Sequence, residues 1–180
     1  MIYVHLAEGF EEIEAVTIID VLRRAELETE SVSVTGSKWV KGAHGITVEA
    51  DILYEEAEYE NCDMIVLPGG IPGTPNLGAH EGLLARIKDF AGRGQHVAAI
   101  CAAPMVLGKA GVLDGKKATI YPGMEEHLTG AKPLGDRVVR DGNIITSQSA
   151  GTAMAFAIAL AEVFKGKEMA ARLKKSMLVR

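Results

Sequence analysis

The chain has 180 residues, 48% of them hydrophobic, and a formal net charge of −5. That is enough apolar material for the core of a single domain spanning 1–180, and the acidic balance sets nucleic acid aside as a partner. No stretch approaches the roughly 18 apolar residues of a membrane span, Glu8 interrupts the apolar start, and two cysteines do not make a disulfide scaffold. A cytoplasmic protein with free thiols is expected.

In chain order, Ile2–Leu6 reads as a strand and Phe10–Ala25 as a helix. Ser31–Val34 is the next strand, and Val40–Asp51 holds two short strands around the turn Gly42-Ala43-His44-Gly45. Met64–Leu67 is a buried strand that runs into Pro68-Gly69-Gly70, and the segment from Gly69 to Gly82 lacks a clear element. Leu83–Arg93 is a helix, Val97–Ile100 a strand, and a further helix follows Cys101. Ala118–Ile120 is a strand, and Val138–Arg140 and Ile144–Thr146 flank Asp141-Gly142, a hairpin signal. Thr152–Phe164 and Lys167–Lys175 are helices. The basic residues Lys165, Lys167, Arg172, Lys174, Lys175 and Arg180 read as a solvated helix face. Strand and helix alternate throughout, which implies an α/β fold with a mainly parallel sheet covered on both faces.

Ligands of open α/β sheets bind beyond the carboxyl ends of the strands. Three features fall there: Glu8-Gly9, Gly69-Gly70 and Cys101. Cys101 stands between an apolar strand and a helix whose opening turn suits Pro104. That is a nucleophile elbow with sulfur in place of oxygen, and a thiol near a helix N-terminus is expected to have a lowered pKa. Glu14 shares a helix face with Ile18, Val21, Leu22 and Ala25, so its carboxyl is expected to be at least partly buried and raised in pKa. Glu11 and Glu12 are explained by the helix dipole. Cys62 reads as a half-buried structural thiol, and Asp20 and Arg24 as an i,i+4 ion pair. The five histidines show no metal-ligand spacing, and there is no P-loop and no G-x-G-x-x-G. The glycines at 69 and 70 suit a turn whose N–H groups hold an anion.

Four motifs together resemble the DJ-one/ThiJ/PfpI superfamily, closest to its ThiJ/DJ-one branch. They are Ala98-Ala99-Ile100-Cys101-Ala102-Ala103-Pro104, Ala7-Glu8-Gly9-Phe10-Glu11-Glu12-Ile13-Glu14, Val66-Leu67-Pro68-Gly69-Gly70, and Asp141-Gly142-Asn143-Ile144-Ile145-Thr146-Ser147 with Gly151-Thr152. They span nearly the whole chain in the right order. The resemblance implies a flavodoxin-like three-layer sandwich and a homodimer. It makes Cys101 the reactive, oxidation-prone thiol and Glu14 its protonated hydrogen-bond partner. The N–H groups of Gly70 and Ala102 become the oxyanion hole, with Gly69, Tyr121 and Arg24 at the pocket, Arg24 there or at the dimer contact.

Members of that branch are described as glyoxalases or deglycases acting on methylglyoxal and its adducts, and as redox sensors or chaperones. The implied substrate is a 2-oxoaldehyde or glycated protein, with no cofactor and no metal. Two departures bear on function. The protease-like branch places a histidine after the nucleophile, where this chain has Ala102, which counts against peptidase activity. Deglycase members have a histidine where this chain has Tyr121, and tyrosine is a poor base near neutral pH.

Overall fold

The computed structural model describes residues 1–179; Arg180, the last of the basic cluster, lies outside the described residues. A seven-stranded sheet forms the middle layer, in the order β10 (Val138–Asp141), β11 (Ile144–Ser147), β7 (His96–Ile100), β6 (Met64–Leu67), β1 (Ile2–Leu6), β2 (Thr29–Ser33) and β5 (Ile52–Leu53). Every pairing is parallel except β10 with β11, where Asp141 faces Ile144 across the expected hairpin.

The central strands bury both faces, so alternate residues serve two separate cores. Ile2, Val4, Leu6, Met64, Val66, Ala98 and Ile100 point to one side, under α1 (Glu12–Arg24) and α5 (Ala153–Ser176). Tyr3, Ile65, Leu67, Val97 and Ala99 point to the other, where Leu83, Ile87 and Phe90 of α3 (Glu81–Gly92) and Val106 and Leu107 of α4 (Pro104–Lys109) cover them. This is the α/β three-layer arrangement expected from the sequence, with a flavodoxin-like sheet.

Several elements differ from the sequence reading. The segment 69–82 contains α2 (Gly73–Ala79). Its run Gly-Thr-Pro-Asn-Leu-Gly-Ala has poor helix propensity, and the buried Leu77 holds it against the protein instead. Only Lys117–Ala118 (β8) pairs as a strand, with Lys132–Pro133 (β9), in a small sheet of its own. Trp39–Lys41 (β3) and Thr47–Glu49 (β4) form the expected hairpin, also outside the main sheet. The last two helices run as one stretch, interrupted at Gly166, whose φ is 76 and ψ 177. Lys165, Lys167, Arg172, Lys174 and Lys175 are exposed on it, as a solvated face requires.

Phe156 of α5 is fully buried in the α1–α5 layer. Phe156→Ala is expected to lower unfolding free energy by about 3–5 kcal/mol, the usual loss for a truncated core aromatic. Urea denaturation followed by circular dichroism measures it.

Candidate active site

Two loops and a helix meet at the carboxyl edge of the sheet. β7 ends at Ile100, and Cys101 turns with φ 63, one of the non-glycine residues with positive φ. That backbone costs an L-residue about 1–2 kcal/mol and persists only where its surroundings impose it. Here the Cys101 N–H donates to Ser147 O at 3.1 Å, and its carbonyl accepts the Tyr121 N–H at 2.9 Å. The turn is thus pinned from β11 on one side and from the loop after β8 on the other. Pro104 opens α4, as its missing N–H allows.

The second loop follows β6. Gly69 packs so closely that a Cβ there would lie 2.5 Å from the Cys101 Cβ and 2.9 Å from Glu14 Oε2. Gly70 has φ 97, and a side chain on it would run into the backbone of Gly9 and Glu11. Both positions therefore require glycine. The N–H groups of Gly70 and Ala102 lie near enough to the Cys101 sulfur to favour its charged form.

The third contribution comes from α1. Glu14 is fully buried, and its Oε2 accepts the Gly69 N–H at 2.8 Å. Among the described residues its Oε1 has no conventional hydrogen-bond partner, while the Cys101 thiol lies close enough to perturb the carboxyl. A buried carboxyl with one free oxygen beside a thiol is set up to hold a proton and hand it over.

The DJ-1/PfpI family model matches residues 1–163. The chain belongs to that family. It is 41% identical over 179 residues to "Protein DJ-1 homolog B" of Arabidopsis thaliana, covering 99% of this chain and 41% of that protein. This chain thus spans less than half of that relative. A Pyrococcus abyssi protein named as a deglycase is 34% identical over 149 residues, covering 81% of this chain and 87% of its own length. Among solved structures, oxidized Toxoplasma gondii DJ-1 superposes with a TM-score of 0.94 at 38% identity, covering 98% of this chain and 97% of that one.

The electrostatics of Cys101 correct the sequence reading. Proximity to α4 does not lower the thiol. Burial and the adjoining Glu14 push Cys101 up to about 12. Burial, helped by the Asp63 charge, pushes Cys62 up to about 12, in keeping with a structural thiol that donates to Met64 O. Burial also pushes Glu14 up to about 7. Glu14 and Cys101 titrate as one unit. The first proton leaves the pair near neutrality, and the second is withheld because two negative charges would then share a buried site. A thiolate at neutral pH therefore requires the remaining proton to reside on Glu14. The Gly70 and Ala102 N–H groups stabilise that arrangement.

Two further placements differ from the sequence reading. Arg24 sits at the far end of α1 from Glu14, exposed and in the expected i,i+4 pair with Asp20 at 2.7 Å, so of its two expected places, pocket or dimer contact, it is not brought to the first. Glu12 does more than favour the helix dipole. Its buried carboxylate accepts the backbone N–H of His44 at 2.7 Å and of Ile46 at 3.3 Å, holding the β3–β4 hairpin onto α1. Nothing in local spacing could join residues 32 apart. Tyr121 lies at the rim, 47% exposed, joined to Cys101 through the backbone.

The pair makes two measurable demands. Alkylation of Cys101 should rise with a midpoint above the ordinary thiol value of about 8.5, since burial and the Glu14 charge both oppose the thiolate. In Glu14→Gln, which removes that charge, the midpoint should move down. Peptide mass spectrometry across a pH series reads this, with Cys62 as the slow internal control; identical midpoints would leave Glu14 a purely structural residue.

Stability should respond as well. Glu14 is raised from 4.5 to about 7 in the fold, so its contribution is present below the unfolded value and is lost as pH rises through 7. By 1.36 kcal/mol per unit the loss is about 3 kcal/mol. Urea midpoints between about pH 5 and pH 8 should fall with this slope in the wild type and lack it in Glu14→Gln.

Proposed function

We propose that the protein is a cysteine-dependent glyoxalase or deglycase, acting on methylglyoxal or its protein adducts through a hemithioacetal on Cys101. The observation that carries this reading is a buried carboxyl, raised to about 7, against a thiol on a strained turn. The deglycase name of the Pyrococcus abyssi relative supports the same chemistry.

The steps need only residues already described. The Cys101 thiolate attacks the aldehyde carbon, forming an S–C bond as the C=O π electrons move to oxygen. The Gly70 and Ala102 N–H groups hold that oxygen, and Glu14 gives it a proton. Glu14, now a carboxylate, removes the C–H proton from the former aldehyde carbon, giving an enediolate with its charge on the neighbouring oxygen. Returning that proton to the neighbouring carbon, as the hydroxyl proton passes from the first oxygen to the second, makes a 2-hydroxy thioester. One carbon is oxidised and its neighbour reduced, so no external oxidant is consumed. Water adds to the thioester, releasing lactate and restoring the thiol. Tyr121 holds a substrate oxygen at the rim without serving as base. We also propose a homodimer, with Ile13 and Val16 of α1, 59% and 51% exposed, on the surface that the second copy covers.

A second reading rests on the same sulfur. Cys101 is half-buried rather than sealed, and its two N–H neighbours suit the oxygens of a sulfenate or sulfinate. The Toxoplasma gondii structure is described as oxidized. In this reading the protein is a redox sensor or chaperone.

Steady-state lactate formation from methylglyoxal separates the two. Wild type should turn over slowly but well beyond one equivalent, with Cys101→Ser as the inert blank. Tyr121→His should raise the rate, since a placed acid–base group is worth about 10²–10⁴. Tyr121→Phe should cost only several-fold, about 1 kcal/mol. If wild type and Tyr121→His both match the blank, the enzyme reading fails. Addition of oxygen atoms to Cys101 by dilute peroxide then becomes the result to seek.

A further inference from the structure

One cluster of side chains takes no part in the chemistry above. Glu11 caps α1, Glu12 is its first residue, and His44 stands at the tip of the β3–β4 hairpin. One ligand atom from each of the three lies within 4.8 Å of the others. His44 Nδ1 is 2.9 Å from Glu12 Oε2 and 3.4 Å from Glu11 Oε2. The carboxylate side chains are 13% and 6% exposed, whereas the ring is 69% exposed. We propose that Glu11, Glu12 and His44 form a binding site for a divalent transition-metal ion of the zinc class, with water completing the shell on the solvent side.

Four observations carry this. Ligands placed tetrahedrally at about 2.0–2.1 Å from zinc stand about 3.3 Å apart; the His44–Glu11 separation of 3.4 Å matches that edge, and the 2.9 Å His44–Glu12 contact is a hydrogen bond that the ion would replace. Each carboxylate is already divided between two tasks. Glu11 Oε1 accepts the Ile13 N–H, and Glu12 Oε1 accepts those of His44 and Ile46, which leaves both Oε2 atoms turned toward Nδ1. Ligating carboxylates are commonly oriented by such outer hydrogen bonds.

The third observation is the donor set. One imidazole and two carboxylates are ordinary zinc ligands, and the protruding ring leaves an open side for water. The fourth is charge. Two carboxylates turned toward one point carry a charge of −2, which a divalent ion cancels. The half positive charge of the α1 N-terminus opposes a cation but is outweighed by the two full charges. Packing adds to this, because a side chain on Gly42 would collide with the Glu12 carboxyl, so the hairpin is shaped around that group.

Zinc titration against a chromogenic competitor, in a Cys101→Ser background that removes the competing thiol, tests the site. One ion per chain is expected at micromolar affinity. His44→Gln and Glu11→Gln should each weaken it by about tenfold or more, while His127→Gln, which alters a histidine elsewhere, should leave it unchanged. Cobalt(II) should give visible d–d bands without a sulfur-to-metal band. Circular dichroism confirms that each variant is folded. No binding below millimolar zinc, or equal binding in folded His44→Gln, overturns the proposal, as does an equal loss in His127→Gln.

Discussion

A carboxyl group buried in the first turn of a helix must find a partner, and Glu14 finds one in the Gly69 N–H, 55 residues further along the chain. That hydrogen bond joins α1 to the loop after β6. The loop in turn lies against Cys101, so closely that Gly69 has no room for a side chain. Three distant segments are thereby locked around one sulfur. Because the carboxyl is buried, its charged form is penalised, and a proton remains available at neutral pH where an exposed glutamate would have none. The bond that assembles the site thus also sets its proton inventory.

The strain at Cys101 belongs to the same arrangement. A left-handed cysteine is unfavourable by itself, and it persists here because β11 and the loop carrying Tyr121 bind its N–H and carbonyl. The turn presents the sulfur to solvent on one side and to Glu14 and two N–H donors on the other. The mainly parallel sheet supplies the platform. Its strands end together at one edge, so loops far apart in sequence emerge side by side.

Electrostatics explain where the sequence reading of the thiol went astray. A helix N-terminus lowers a thiol pKa when it is long and close. α4 has six residues and begins three positions after Cys101, and burial beside a carboxyl is the larger effect. A pattern of residue types shows that a cysteine precedes a helix. It does not show which charge adjoins the sulfur or how much water reaches it.

The layers were legible because hydrophobic periodicity is local: apolar strands alternating with amphipathic helices admit few arrangements. The elbow at Cys101, the glycine turn and the apolar stripe ending in Glu14 were legible for the same reason, since each is written within a few consecutive residues. α2 was not legible, because its stability comes from burial of Leu77 rather than from propensity. The span of β8 was overread because Thr119 and Ile120 are buried without pairing as strand. The sequence by itself determined the α/β class and named the thiol and carboxyl. Tertiary structure alone decided that Glu14 and Cys101 are buried side by side, each raised in pKa, that Arg24 is far from Glu14, and that His44 meets Glu11 and Glu12. Those are matters of distance and solvent exclusion between segments, which no linear pattern encodes.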